Sequence, residues 1–275
     1  MNLSFKNDLG TLEMGNGCDI RITDISGLAL PKKIRNTASY AGISGNILLS
    51  ENVSARTITV SGDIKISDYS DILISKMLRI LNSEGVLYIK NGKKRCIRCS
   101  VSDMEFSKPS RVYREFVIQF TADYPYFTDS DYKKVYLFSK VKKITDPFRL
   151  PQIFSARINE ASVYNSGDTK IYPVINVRFI SDSYDGASVS LYNDTTGKSL
   201  SFIYSSHKDE VITIDAENRL ICSDSSGDIT SSISDDSYIS DFYLECGKND
   251  IRIILQNCGN ASAECLYKNS YIENM

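Results

Sequence analysis

Apolar and polar residues alternate with a period of two along most of the chain, the pattern of strands with one buried face. The alternation is clean in Ile20–Ile22, in Arg56–Gly62 with Ile64–Ile66, and in Val86–Ile89 and Cys96–Val101. It is strongest in Arg114–Ala122, which runs into Asp123-Tyr124-Pro125-Tyr126-Phe127. Proline has no amide proton to donate, so it ends that ladder. Turn residues at Asp24–Gly27, at the Gly/Ser/Asn-rich stretch Ala41–Asn46 and at Asn91-Gly92 separate the strands. One segment breaks the period. Tyr69, Ile72, Leu73, Lys76, Met77, Ile80 and Leu81 recur at helical spacing, with Ser67 or Asp68 to cap them and Gly85 to stop them. Asp71, Ser75, Arg79 and Asn82 form its polar face, so this helix should cover a sheet edge or a barrel mouth.

Residues 140–155 read as a linker, basic at first and then broken by Pro147 and Pro151. Beyond it, strands centre on Val174–Phe179, Val189–Tyr192, Ser199–Tyr204, Val211–Ile214, Arg219–Cys222, Asp241–Glu245 and Ile251–Leu255, with Tyr267–Ile272 closing the sheet. Eight short strands at this spacing predict a β-sandwich. The division expected is a first domain over 1–145, a linker over 146–155 and a second domain over 156–275. No tandem repeat is visible.

Composition agrees with a mostly β chain. There are 32 Ile, 13 Val and 17 Tyr against 11 Ala, and 38 Ser to populate turns. With 42% hydrophobic and 24% charged residues the chain has a globular balance, which argues against extensive disorder. No apolar run approaches the ~18 residues of a spanning helix. The first residues, MNLSFKNDLGTLEMGNG, lack a basic-then-apolar leader, so synthesis in the cytoplasm is expected. Charge is uneven: residues 1–150 hold 23 Lys/Arg and 16 Asp/Glu, residues 151–275 hold 9 and 18. That asymmetry suggests two domains with different neighbours. The bases of the first half are interspersed with acids, and the cluster Lys93, Lys94, Arg95 and Arg98 follows the Asn91-Gly92 turn, so a solvated hairpin tip is expected there rather than nucleic-acid contact.

Catalytic constellations fail one by one. Seven cysteines without a leader favour free thiols. Cys96-Ile97-Arg98-Cys99 has no second pair to complete a zinc site and lies in a strand, not at a helix N-terminus. His207, the single histidine, sits in a polar loop, so neither a Ser-His-Asp triad nor a Cys–His pair is supported. Asp209-Glu210 and Asp235-Asp236 read as solvated turns. Asp224–Asp228 lacks the spacing and closing Glu of a calcium loop, and Gly15-Asn16-Gly17 lacks the third glycine of a dinucleotide site. No catalytic, cofactor-binding or metal residue is assigned. Tyr172, Tyr184, Tyr192, Tyr204, Tyr238 and Tyr243 could stack on sugars, yet strand alternation makes most of them packing residues, and the chain has no Trp.

Three segments, taken in order, carry a family likeness. The first is Arg56–Gly62 (RTITVSG), followed by the lone helix and Gly85–Tyr88. The second is the strand ending in Tyr124-Pro125-Tyr126-Phe127. The third runs through Asn165-Ser166-Gly167, Tyr172-Pro173-Val174-Ile175, Ile214-Asp215 and Leu244-Glu245-Cys246-Gly247-Lys248-Asn249. This series resembles the distal tail proteins of long-tailed bacteriophages. Cys246 departs from the family's usual proline, which touches only a turn, because Gly247 can still take a positive φ.

The resemblance implies an N-terminal β-barrel-like belt domain with one helix, which builds a six-membered, head-to-tail ring, and a C-terminal galectin-like β-sandwich. It implies a structural, non-enzymatic protein of the virion that needs no cofactor and does not insert in a membrane. The ring would join the tail tube protein to tip and receptor-binding proteins. The tape measure protein, and then DNA without specific binding, would pass through its channel. The resemblance assigns no partner-binding residues. Pro125, Tyr126, Phe127, Gly247 and Asn249 read as fold-maintaining. The alternative is a carbohydrate-binding module that recognises host-surface glycans through surface tyrosines such as Tyr192 or Tyr204.

Overall fold

The computed structural model describes residues 2–142 and 155–274 apart from 43, 92, 109, 111 and 259. The expected linker lies outside the described residues save for its last position. Two compact units divide the chain, Met1–Ser130 with Ser270–Met275 and Asp131–Asn269. The first unit thus ends at Ser130 rather than at 145, and it reclaims the last six residues.

The first unit contains β1 (Asn2–Asn7), β2 (Gly10–Gly15), β3 (Ile20–Ser26), β4 (Lys33–Ala38), β5 (Ile47–Val53), β6 (Arg56–Lys65), α1 (Ser70–Leu81), β7 (Gly85–Asn91), β8 (Lys93–Phe106), β9 (Tyr113–Ala122) and β10 (Phe127–Asp129). All but β4 and β5 join one antiparallel sheet, with the path β2-β1-β7-β8-β9-β6-β3. The long strand β8 is shared: Lys93–Cys99 pairs with β7, and Ser100–Phe106 pairs with β9 past a register shift between Val101 and Asp103. A bulge there lets one strand serve two halves that enclose a core between them. The expected barrel does not close. β2 and β3 are consecutive in the chain but stand at opposite ends of the path and share no ladder.

Alternation decides what is buried. Ile58, Val60 and Ile64 of β6 point into a core with Phe5, Leu87, Ile89, Ile97, Phe116, Ile118 and Phe120. Gly62 shares their face because there is no room for more: a Cβ would lie 2.3 Å from the Arg21 carbonyl oxygen and 2.5 Å from the Phe116 ring. Met77, Ile80 and Leu81 bring α1 onto this core. Neither Ser67 nor Asp68 caps the helix by its side chain. Tyr69 holds the cap position, and the Ser67 carbonyl accepts the Ser70 amide at 3.0 Å. β3 also runs through the turn expected at Asp24, because a register shift between Ile22 and Asp24 absorbs the irregularity.

The second unit contains β11 (Lys133–Lys142), β12 (Ser155–Ile158), β13 (Glu160–Asn165), β14 (Val174–Phe179), β15 (Ser188–Asn193), β16 (Lys198–Ile203), β17 (Val211–Asp215), β18 (Leu220–Ser223), β19 (Gly227–Asp228), β20 (Gly247–Gln256) and β21 (Ala261–Tyr267). A seven-stranded sheet, β12-β11-β21-β14-β17-β18-β19, and a four-stranded sheet, β13-β20-β15-β16, enclose a core to which both contribute. The sandwich is therefore present. The segment Asp241–Glu245 is not a strand, however. Ile239–Asp241 forms a 3-10 turn, and Leu244 makes one isolated bridge to Ile171. Nor does Tyr267–Ile272 close this sheet. Tyr267 ends β21, and β22 (Ser270–Tyr271) pairs with β10 in the first unit.

The family-like motifs of the second unit meet at one end of the sandwich. Asn165 pairs with Gly247 across β13 and β20, and its amide donates to the carbonyls of Thr169 and Leu244 at 2.9 and 3.4 Å. Fully buried Asn249 accepts the Glu245 amide at 2.9 Å and donates to the carbonyls of Glu245 and Gly247 at 2.8 and 3.2 Å. Asn193, also fully buried, donates to Asn249 Oδ1 at 3.2 Å. Asn249→Ala removes these bonds, although Asn193 keeps the Tyr243 carbonyl at 2.8 Å, so a loss of about 2 kcal/mol in urea denaturation is expected for the second unit. A loss below about 0.5 kcal/mol would mean that the turn holds itself.

Candidate assembly site

The residues weighed for chemistry are scattered or spent on structure. The His207 side chain is exposed, and its backbone amide donates to Glu210 at 2.7 Å. Burial raises the Cys99 thiol to about 12, far from a reactive thiolate. Cys96 sits against Thr128. Asp235 and Asp236 are exposed. Asp224 accepts the amide of Val211 at the start of β17, and Asp228 accepts that of Thr230. No group of three metal-ligating side chains exists among the described residues. Of the tyrosines, Tyr192 lies under the Arg252 guanidinium at 4.8 Å, and Tyr204 donates its hydroxyl to Glu210. No helix among the described residues is long and apolar enough to cross a membrane.

Two charged residues read as solvated are in fact buried. Glu210 is 4% exposed, and its carboxylate accepts hydroxyls from Tyr204 (2.8 Å), Ser225 (2.5 Å) and Ser223 together with the His207 amide. Burial alone would raise its pKa, but the four hydrogen bonds outweigh it and bring it down to about 2. Arg95 leaves the basic cluster at the β7–β8 tip and turns inward. It lies 3.7 Å over the Tyr271 ring and donates to the Glu273 carbonyl.

The feature without a partner is an arm. Among the described residues, β4 and β5 pair only with each other, from Lys33↔Val53 to Ala38↔Ile47, and form the connection between β3 and β6. Ile34, Tyr40, Ile47, Leu48 and Leu49 are 49, 55, 45, 51 and 62% exposed. Three of these are consecutive, so both faces of the ribbon carry apolar side chains that its own unit leaves uncovered. An isolated two-stranded ribbon is marginal in water, and apolar exposure on this scale marks an interaction surface. Lys33 and Arg35 both donate to Glu51 across the ribbon at 2.6 Å, which holds the Glu51 carboxyl below its ordinary range.

The arm's root is rigid. Arg56, 2% exposed, donates to the carbonyls of Gly27 and Ala29 at 2.7 and 2.8 Å, Pro125 at 2.5 Å and Ile272 at 2.6 Å, and lies over the Phe127 ring at 4.6 Å. The Asn274 amide adds a bond to the Leu28 carbonyl at 3.0 Å. The first and second family-like segments, Arg56–Gly62 and Tyr124–Phe127, thus meet at the base of the arm, with the C-terminal residues as a third strap. Gly27 takes φ +86° there, and a Cβ would meet the Thr57 carbonyl oxygen at 2.1 Å, so no other residue fits.

Residues 7–164 match the phage tail protein RIFT-related domain. No curated protein matches the chain. Among solved structures, the fold is similar to that of the SPP1 Dit protein (gp 19.1), described as a paradigm of the hub adsorption apparatus in phages infecting Gram-positive hosts. The TM-score is 0.66 at 12% identity over 91% of this chain and 93% of that one. It is also similar to a chain of the phage P2 baseplate in its activated conformation with Ca, with a TM-score of 0.57 at 12% identity over 98% and 97% of the two chains. At such identity the likeness is one of fold.

Proposed function

The chain belongs to the phage tail protein RIFT-related domain family, and on that basis we propose that it is the ring-forming adaptor of a tail tip or baseplate. Six copies assemble through their first units, and the second unit is a galectin-like sandwich. The ring joins the tail tube protein to tip and receptor-binding proteins. The tape measure protein, and then DNA without specific binding, pass through its channel. The protein is made in the host cytoplasm, ends in the virion and catalyses nothing.

The observation that carries this reading is the arm, an apolar ribbon held stiffly at its root and left uncovered by its own unit. A ribbon of this kind suits a contact between copies, each of which offers two different surfaces to its neighbours. The glycan-binding alternative is weaker because Tyr192 and Tyr204, its named candidates, are engaged by Arg252 and Glu210. In sedimentation velocity over a concentration series, a species of six times the 30.8 kDa chain mass is expected to grow at the expense of monomer. A single species of two copies would count against the ring, because two copies close an isologous pair.

A further inference from the structure

Residues 270–274 return to the first unit and lie on it as a strap. Its ladder with β10 is two residues long, Phe127↔Tyr271 and Thr128↔Ser270. Beyond the ladder the strap's carbonyls need other donors, and two buried arginines supply them. Arg56 reaches the Ile272 carbonyl at 2.6 Å, and Arg95, stacked on the Tyr271 ring, reaches that of Glu273. The Tyr271 hydroxyl donates to Asp129 at 3.1 Å, and the Asn274 backbone amide donates to the Leu28 carbonyl at 3.0 Å. One side chain works against this docking. Asn274 is fully buried, yet neither its Nδ2 nor its Oδ1 has a hydrogen-bond partner among the described residues. Docking strips both atoms of water without replacing it, and undocking restores their hydration.

We propose that the strap is a releasable latch on the arm: residues 270–274 undock while the rest of the first unit stays folded, and the arm is stiff only while they are docked. Its effect on assembly rests on the arm being the assembly element. A two-residue ladder and a buried, unpaired side chain put the strap at the low end of local stability. β9 stands at the other end, paired with β6 over ten residues and with β8 on its other side. What the strap braces is the root. Leu28 takes its hydrogen bond from Asn274, and the guanidinium that holds Ile272 also holds Gly27 and Ala29. These residues lead into β4 at Lys33, and Arg56 follows β5 at Val53. Undocking removes the Leu28 bond and takes one of four acceptors from Arg56, so the root loosens while the β6–β9 ladder stays intact. A ribbon that pairs with no other strand among the described residues has only that root to hold it.

Amide hydrogen exchange on the dilute full chain reads undocking directly. After correction for intrinsic rates, the residue 274 amide is expected to exchange at least about a hundredfold faster than that of Ile118 in β9, and with a weaker urea dependence. Asn274→Leu keeps the branched shape and removes both unpaired atoms, so protection at residue 274 should rise about tenfold. Protection at Ser54, whose amide donates to the Lys32 carbonyl at the root, should rise with it. Tyr271→Ala removes the Arg95 stack and the Asp129 bond. It should lower both protections by about tenfold or more and weaken self-association in sedimentation velocity, because fewer chains hold a stiff arm. Melting temperature confirms that each variant folds. Equal protection and equal urea dependence at residues 274 and 118 would overturn the latch, since the strap would then open only with the whole unit. A fall in protection in Asn274→Leu would overturn it too. A Ser54 amide that ignores both variants would overturn the tie to the arm. The expected exchange pattern in a chain that never self-associates would uphold the latch and overturn the assembly reading.

Discussion

Replacing Arg56 with methionine is expected to destabilise the first unit by about 4 kcal/mol, because one buried and three half-buried carbonyls lose a charged donor at once. The carbonyls of Gly27, Ala29, Pro125 and Ile272 converge on this one guanidinium, which has no carboxylate partner in its hydrogen bonds. Burial lowers its pKa, yet a guanidinium is basic enough to keep its proton here. Methionine fills comparable volume with a flexible apolar chain, so the loss reads the hydrogen bonds rather than a cavity. Arg56→Lys should recover only part of it, since one ammonium cannot fork to four carbonyls. Guanidinium denaturation reads the loss, and amide exchange should quicken at Leu28 and Ala29. A change of less than about 1 kcal/mol would show that the arm's root does not depend on this clamp.

Glu210→Gln is expected to cost the second unit roughly 3 kcal/mol at neutral pH, the free-energy equivalent of a carboxylate pKa brought from 4.5 to about 2. The sign fixes the pH dependence. A folded pKa below the unfolded one gives stability that is complete above pH 4.5 and is lost as pH falls toward 2. Wild-type protein should therefore lose stability across that window, and the Gln variant should lose less, because its amide does not titrate. Melting temperatures between pH 2 and 7 test this. Parallel curves for the two proteins would remove Glu210 as the source.

Both residues illustrate what the sequence held and how it could be read further. Strand alternation located most of the elements, since Ile58, Val60 and Ile64 of β6, or Ile212 and Ile214 of β17, can face only one core. Arg56 shares the inward parity of β6, Arg95 that of Ile97 and Cys99, and Glu210 that of Ile212 and Ile214. Their burial was thus legible from parity; charge alone suggested solvent. The arm was not legible, because Ile47, Leu48 and Leu49 follow one another without alternation when neither face is packed by the same unit. The strand expected over Tyr267–Ile272 contains β22, but its pairing was hidden for another reason. A pairing so short leaves no period, and its partner β10 lies more than a hundred residues away. The motif asparagines Asn165 and Asn249 were visible as turn formers, but their meeting needed the β13–β20 register.

Negative-stain electron microscopy of the concentrated, purified protein, alone and mixed with tail-tube and tip proteins, tests the central claim most directly. Closed six-fold rings are the predicted result. Isolated monomers in every mixture would contradict it.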